Sequence, residues 1–431
     1  MQLTPGRCQI TGIGNFDRAM AVGGFDANNY DTYDILDYRR GDGTYNNDLL
    51  LTEARYKLAC AISGNKLFTA GGARNYDAAM SDMVEVFDLS GNSLLSEEQL
   101  SVARMELSAA AVGDKVLFAG GLFMTYTGSA FVLTGSSDVV DIYDVPTGTW
   151  SVEHLSQARG GMSCAVLGGK AYFAGGYRGN NIASDRVDIY DAATGTWSTD
   201  TLSQARAFFG GGVAVGGRVF FAGGTREDEH NSDRIDIYDP ATDAWTTAAL
   251  SVPRCGVQAA VTGDFALFAG GGDDDMPNWS FLTASDRVDI YNAGTDQWST
   301  ANMSSERVNF AAAASGNQVY LFGGIAGDFA TFPTVVDVFT DASAIGFDEP
   351  VVPSFSAWPN PSADRVTIGL LDAMNGATAE LLDGTGRRCA MQRIGKGGVV
   401  DLAALPDGPY IIRLLMDDGR AALSTTLVKG R

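Results

Sequence analysis

The sequence predicts an all-β chain, a seven-bladed β-propeller followed by a small second domain, and three observations carry that reading. A Gly-Gly pair closing an apolar run recurs seven times, at Gly23-Gly24, Gly71-Gly72, Gly120-Gly121, Gly175-Gly176, Gly223-Gly224, Gly270-Gly271 and Gly323-Gly324. The intervals are 48, 49, 55, 48, 47 and 53 residues, and a period of ~40 to 50 residues marks propellers. Glycine is abundant, 53 of 431 residues, while proline is scarce at 12, which suits many tight turns between short strands. The repeat then stops, and the prolines of Glu349-Pro350-Val351-Val352-Pro353 mark a linker. The domains therefore read as 1–344, a linker over 345–353, and 354–431.

Within each copy the elements follow in a constant order. After the Gly-Gly pair comes a strand of the form V-[DE]-[IV]-[YF], clearest as VDIY at 140–143, 187–190 and 288–291. Weaker copies are YDIL at 33–36, VEVF at 84–87 and VDVF at 336–339. A tryptophan stands seven residues after the aromatic in four copies, Trp150, Trp197, Trp245 and Trp298; the first two copies have Tyr45 and Leu94 or Leu95 in that region. A short phrase such as LSQAR then leads into the next copy and ends in Arg7, Arg55, Arg104, Arg159, Arg206, Arg254 or Arg307. Alternating apolar positions between turn residues describe four short antiparallel strands. One such sheet cannot bury both faces, whereas seven set radially bury them against one another. The Tyr, Phe and Trp positions are expected between blades, and the glycine pairs where inner strands crowd near the axis.

The double glycine, the aromatic of VDIY and the tryptophan at fixed offsets resemble the kelch family over residues 3–344, and the resemblance implies a kelch-type propeller. In the tail, WPNP at 358–361, AELLDGTGRR at 379–388, the run VVDLAALPDGPYIIRLLMDDGR at 399–420 and the terminal VKGR resemble the sorting domain of the bacterial type IX secretion system, type A and Por-like. That resemblance covers 354–431 and implies a small immunoglobulin-like β-sandwich that takes the protein across the outer membrane and is removed, usually leaving the passenger attached to the cell surface. The opening MQLTPGRCQI has neither a basic start nor an apolar stretch, so no signal peptide is visible. Because the first copy begins at Leu3, Met1 is expected to be internal to a longer reading frame; alternatively 344–347 supply the last blade's outer strand and only the signal is missing.

Composition excludes several partners. A net charge of −22 and only 6 lysines among 30 basic residues argue against nucleic acid and anionic membranes. No stretch approaches the ~20 apolar residues of a membrane span. Four of the five cysteines, Cys8, Cys60, Cys164 and Cys255, fall at corresponding places in the repeat and read as buried free thiols, without zinc spacing. The two histidines are unsuited to share a metal, His154 lying on an outermost strand and His230 in an acidic loop, and no nucleophile elbow, zincin helix or P-loop appears. Asp273-Asp274-Asp275 reads as a solvated acidic loop rather than a calcium site. No cofactor is expected.

The seven arginines are expected to pair, inside each blade, with an aspartate two residues before the V of the VDIY strand: Asp31, Asp82, Asp138, Asp185, Asp233 and Asp286, with Thr334 in the seventh copy. A feature repeated in every blade belongs to the scaffold, so a ligand is sought where the copies differ. Connections from strand two to strand three and from strand four to strand one emerge on one face, and two of the former are long, 122–137 and 272–285. These carry Phe123, Tyr126, Phe131, Trp279 and Phe281, and the shorter connections add Arg74, Tyr177, Arg178 and Arg226. The ligand-binding set is therefore Tyr126, Trp279, Phe281, Arg74, Tyr177, Arg178 and Arg226; otherwise the long connections cap the ring and bury their aromatics. The whole reads as a secreted or cell-surface, non-catalytic protein that recognises a glycan or a protein. The alternative is a metal-independent carbohydrate-active enzyme of epimerase or lyase type.

Overall fold

The computed structural model describes residues 3–341 except 4, 27–30, 41–43, 75–78, 128–130, 181, 208–210, 229, 276–279 and 329–330; beyond them it describes 357–358, 365–368, 378–383, 388–394, 399–415 and 421–429. The chain divides into two compact units, Met1–Ala344 and Ile345–Arg431.

The first unit is a seven-bladed propeller of antiparallel sheets. Blade 3 is representative: Ser108–Val112, Lys115–Ala119, Val139–Asp144 and Thr149–His154 pair in chain order. Blades 1, 2, 4, 5 and 6 repeat the pattern, and blade 7 contributes three strands among the described residues, Ala311–Ser315, Gln318–Phe322 and Asp337–Thr340. The sequence spacing of tyrosine and tryptophan becomes a cross-strand pair, since a tight turn folds Trp150 opposite Tyr143, Trp197 opposite Tyr190, Trp245 opposite Tyr238 and Trp298 opposite Tyr291. The Tyr143 and Trp150 rings lie 5.0 Å apart, and Tyr143 also meets Phe68 of the preceding blade. Apolar clusters lie at the seams between neighbouring blades, as at blades 1 and 2, where Met20, Leu36 and Tyr38 meet Leu58, Leu67 and Phe87. Leu3, Ile10 and Ala19 meet Ala311, Tyr320 and Phe322 at the seam that closes the ring.

The glycine pairs are joints between blades rather than spacers at the axis, a correction to the sequence expectation. The second glycine donates its amide to the carbonyl of the next blade's arginine: Gly24 to Arg55, Gly72 to Arg104, Gly121 to Arg159, Gly176 to Arg206, Gly224 to Arg254, Gly271 to Arg307 and Gly324 back to Arg7. At Gly121 φ is +124°, and an added Cβ would stand 3.0 Å from the Met105 carbonyl and 3.1 Å from the Arg104 side chain. Only glycine suits that backbone and that gap.

The arginines pair inside each blade, but with the acid of the V-[DE]-[IV]-[YF] strand itself. The pairs are Arg7–Asp37 at 2.5 Å, Arg55–Glu85, Arg104–Asp141 at 2.7 Å, Arg159–Asp188 at 2.6 Å, Arg206–Asp236, Arg254–Asp289 at 2.6 Å and Arg307–Asp337 at 2.5 Å. The aspartates expected as partners stay at the rim. There Asp82, Asp138 and Asp233 offer a backbone carbonyl to the end of the outer strand, through the amides of Leu100, Leu155 and Leu250. The reason is reach: the long arginine side chain runs past the rim between strands two and three. Its Nε meets the carbonyl of the first glycine, 2.6 Å at Gly120 and 2.7 Å at Gly175. The carboxylate's other oxygen takes the backbone amide three residues before the arginine, as Asp141 takes Ser101 and Asp188 takes Ser156, each at 3.0 Å.

Blade 1 shifts register. Its third strand is Ile35–Arg40, and Asp37 holds the place of the strand acid, so the VDIY counterpart is 36–39 rather than 33–36, and the rim aspartate is Asp34 rather than Asp31. At the other end of the ring Leu3 donates to the Thr334 carbonyl at 2.5 Å, the bond Leu51, Leu100, Leu155 and Leu250 make with Asp34, Asp82, Asp138 and Asp233 elsewhere. The start of the chain thus packs on blade 7, while 344–347 lie outside the described residues. The cysteines correspond in two pairs. Cys8 and Cys255 each follow an arginine, and Cys60 and Cys164 lie in the innermost strands Ala59–Ser63 and Ser163–Leu167.

The second unit is all-β among its described residues. A three-stranded sheet, Ala357–Trp358, Arg365–Ile368 and Val399–Asp401, and a four-stranded sheet, Thr378–Asp383, Arg388–Arg393, Gly408–Leu415 and Ala421–Lys429, share one apolar core. Val366 and Val400 of the first meet Leu381, Ile412 and Leu414 of the second. Lys429, of the terminal VKGR, is buried and its Nζ donates to the carbonyls of Leu402 (2.7 Å), Ala403 (3.2 Å) and Leu405 (2.5 Å).

Candidate ligand-binding face

One face of the ring is built by a recurring bridge. The residue after each Gly-Gly pair pairs with the residue after the blade's arginine: Cys8 with Phe25, Tyr56 with Ala73, Met105 with Leu122, Gly160 with Tyr177, Ala207 with Thr225 and Cys255 with Gly272. Connections two-to-three and four-to-one are thereby tied together on this upper face. Beneath them runs an apolar cluster that includes Cys8, Phe25, Tyr56, Met105, Met124 and Val308, a rigid support for whatever stands above it.

The two long connections are hairpins. In blade 3, Leu122–Tyr126 pairs with Phe131–Ser136; in blade 6, Gly272–Asp275 pairs with the start of Ser280–Asn292. The blade 3 hairpin has an inner and an outer face. Met124 packs into the apolar cluster with Leu133 against it, while Val132 and Thr134 face solvent. This hairpin thus caps the ring with one face and leaves the other free.

The residues named from the sequence divide. Tyr126 ends the first hairpin strand and Phe281 lies in the second hairpin, so the backbone of both is on the upper face; Trp279 lies outside the described residues. Tyr177 is corrected: it is 4% exposed, bridged to Gly160 and Ala183 and packed with Leu122 and Ala207, so its ring belongs to the core. Its position in a short loop gave no sign of the two-sided bridging that buries it. Arg74 is exposed but ion-paired to Glu53 at 2.7 Å, and Arg226 is fastened to Asp228, its Nε 2.9 Å from Oδ1. Arg178 is exposed and makes no ion pair among the described residues. The three arginines are therefore unequal, and Arg178 is the cation available to an acidic group.

A cleft of about 440 Å³ opens on this face between blades 5 and 6, lined by His230, Asn231, Asp273 and Thr283 with Val252 and Pro253. Asn231 spans it, its Nδ2 donating to Asp273 and, at 3.2 Å, to the Gly272 carbonyl. His154 is on the outermost strand of blade 3 beside Asp138. Cys8, Cys60 and Cys164 offer no nucleophile: burial pushes Cys8 and Cys164 up to about 12 and Cys60 higher still, so they stay protonated at neutral pH. Burial also pulls the scaffold guanidinium groups of Arg104, Arg159, Arg254 and Arg307 below their usual range, while the paired carboxylates push them back.

Comparison with known proteins agrees with this architecture. Residues 158–199 and 208–249, within blades 4 and 5, match the Kelch motif. The chain is 27% identical over 137 residues to Kelch-like protein 28 of Mus musculus and of Homo sapiens, a match covering 31% of this chain and 22% of those relatives. A solved structure titled "Structure of YjhT" superposes with a TM-score of 0.52 at 16% identity, covering 66% of this chain and 97% of that one. The first unit is a seven-bladed β-propeller carrying kelch motifs.

Proposed function

We propose that this protein is a secreted or cell-surface binding protein without catalytic turnover, which engages a protein ligand through the upper face of its propeller. The observation that carries the reading is the pair of hairpins: on a scaffold whose buried arginines, acids and glycines repeat blade by blade, 122–137 and 272–285 are where the copies depart most from one another. They carry Tyr126 and Phe281, and Trp279 belongs to the second of these segments in the sequence; aromatic side chains dominate the energetics of protein interfaces. The kelch motifs favour the same reading, since such propellers are typically protein-binding scaffolds. A metal-independent epimerase or lyase would draw on arginine and acid groups of this face, yet Arg74 and Arg226 are already neutralised by Glu53 and Asp228. The second unit, with its aromatic-PNP, DL..L..G.Y and terminal VKGR phrases, serves as the type IX sorting domain, an immunoglobulin-like sandwich that directs the propeller outward.

Two arms test the proposal. Protease accessibility of the propeller on intact cells should be lost when 354–431 are deleted, with the protein held in the periplasm; unchanged surface display would refute the sorting role. Tyr126→Ala with Trp279→Ala should abolish binding to surface proteins retained by the wild-type chain, with little change in melting temperature. Binding to a glycan array that the double variant loses would reassign the ligand, and a large loss of stability would show that these rings are core.

A further inference from the structure

The residue two places after each repeated arginine stands at the axial mouth of the ring, and its backbone is left-handed in every described copy. The φ values are 52° at Gln9, 53° at Lys57, 53° at Glu106, 59° at Gly161, 63° at Gly256 and 53° at Asn309; Phe208 of blade 5 lies outside the described residues. Hydrogen bonds running around the mouth impose this conformation. The amide of Gln9 donates to the carbonyl of Asn309 (2.7 Å), Lys57 to Gln9 (3.4 Å), Glu106 to Lys57 (3.3 Å) and Gly161 to Glu106 (2.9 Å). Glycine takes up such a backbone freely, and a residue with a Cβ does so against its preference. Blades 4 and 6 use glycine, so the ring itself needs no side chain there. Blades 7, 1, 2 and 3, consecutive around the axis, nonetheless carry Asn309, Gln9, Lys57 and Glu106.

These four side chains form a crescent. With Gln258 and the apolar Phe310 they line a cavity of about 150 Å³. Lys57 Nζ and Glu106 Oε1 are 2.7 Å apart, so the crescent is electrically neutral and favours neither an anion nor a cation. The Oε1 of Gln9 is buried without a hydrogen-bond partner, an acceptor awaiting a donor. Amides beside an ion pair present donors and acceptors side by side, the pattern that matches groups able to do both, which hydroxyls are. The cavity is smaller than the ~300 Å³ at which drug-sized pockets begin, so its occupant is compact. Strained left-handed residues collect at ligand clamps.

We propose that the axial crescent of Gln9, Lys57, Glu106 and Asn309 binds a compact, uncharged, hydroxyl-rich ligand the size of one sugar ring. It is a second site, separate from the hairpins. The four positions are unremarkable in the sequence because they sit among variable residues and backbone φ leaves no mark there.

The test uses the full chain and methyl β-glucoside, methyl β-galactoside and the methyl glycoside of N-acetylglucosamine as probes, read by saturation-transfer NMR and by melting-temperature shift, with acetate and ethylammonium as charged controls. At least one glycoside should bind and neither control should. Replacing the crescent as blades 4 and 6 do, by Gln9→Gly, Lys57→Gly and Glu106→Gly together, should weaken binding about tenfold or more while the melting temperature holds or rises, because three strained residues are relieved. Gln9→Gly alone should show the same direction. Failure of all three glycosides to bind, preference for a charged control, undiminished binding by the triple variant, or a lowered melting temperature would each overturn the proposal, the last by showing that the side chains hold the ring together. The hairpin variants Tyr126→Ala and Trp279→Ala should leave glycoside binding unchanged, which separates this outcome from that of the protein-binding reading.

Discussion

Arg159 shows how one side chain organises a blade. It is fully buried, its Nε donates to Gly175 at 2.7 Å, one Nη donates to Phe173 at 3.1 Å, and the same nitrogen meets Asp188 at 2.6 Å. Asp188 also accepts the Ser156 amide at 3.0 Å. A buried ion pair adds little over a well-packed apolar pair, whereas stranding one partner is costly. Asp188→Leu should therefore destabilise the propeller by about 3–5 kcal/mol, and Asp188→Leu with Arg159→Met by clearly less than the two single changes summed. Urea unfolding of the four proteins checks this; strict additivity would show that the two groups do not act as a pair. The existence of a partner was legible in the sequence because the arginine repeats, but its identity was not. Spacing along the chain favoured the rim aspartate, and only the length and path of the side chain carry the guanidinium past it.

At the scale of the element, the turns between strands three and four are fastened by their first residue. Asp144 ends Val139–Asp144, and its carboxylate accepts the Thr147 amide (2.9 Å), the Thr147 hydroxyl (2.8 Å) and the Lys115 ammonium. The hydrogen bond from Lys115, then those from Thr147, bring its pKa down to about 2. In the unfolded chain an aspartate titrates near ~3.9. The folded value is the lower, so the ionised group stabilises the fold above about pH 4 and that contribution is lost as pH falls towards about 2. A carboxyl carbon titration by NMR should give Asp144 a midpoint well below that of an unpaired aspartate, and Asp144→Asn should remove this part of the acid dependence; an ordinary midpoint would break the account. The hairpins belong to this scale as well. Their length and place followed from the two long intervals in the repeat, but their pairing as hairpins did not, and which side of 122–137 faces inward depended on Met105 and Tyr56 lying beneath Met124, residues 19 and 68 positions away in the chain.

For the whole molecule the decisive contacts are those that close the ring. The Gly324 amide meets the Arg7 carbonyl at 2.9 Å and Leu3 meets Thr334, so the two ends of the propeller's chain make the same joint that every other pair of neighbouring blades makes. Each compact unit has an apolar core of its own. Ending the chain after Ala344 should leave the propeller's melting transition in calorimetry where the full chain has it, and Lys429→Met should lower only the transition of the second unit, whose buried ammonium ties 402–405 to the last strand. A propeller transition displaced by either change would show that the units depend on each other for stability.

The sequence by itself determined the blade number, the strand order, the tyrosine–tryptophan spacing and the place of the long connections, because each is a local pattern, or a departure from one, that the repeat displays. Tertiary structure alone decided which acid each arginine meets, why the second glycine of a pair is needed, that Tyr177 is core, that Arg74 and Arg226 are already paired, and that four left-handed polar residues share one cavity. All of these depend on groups brought together across strands or between blades. Radial packing sets such distances, and the spacing of residues along the chain does not record them.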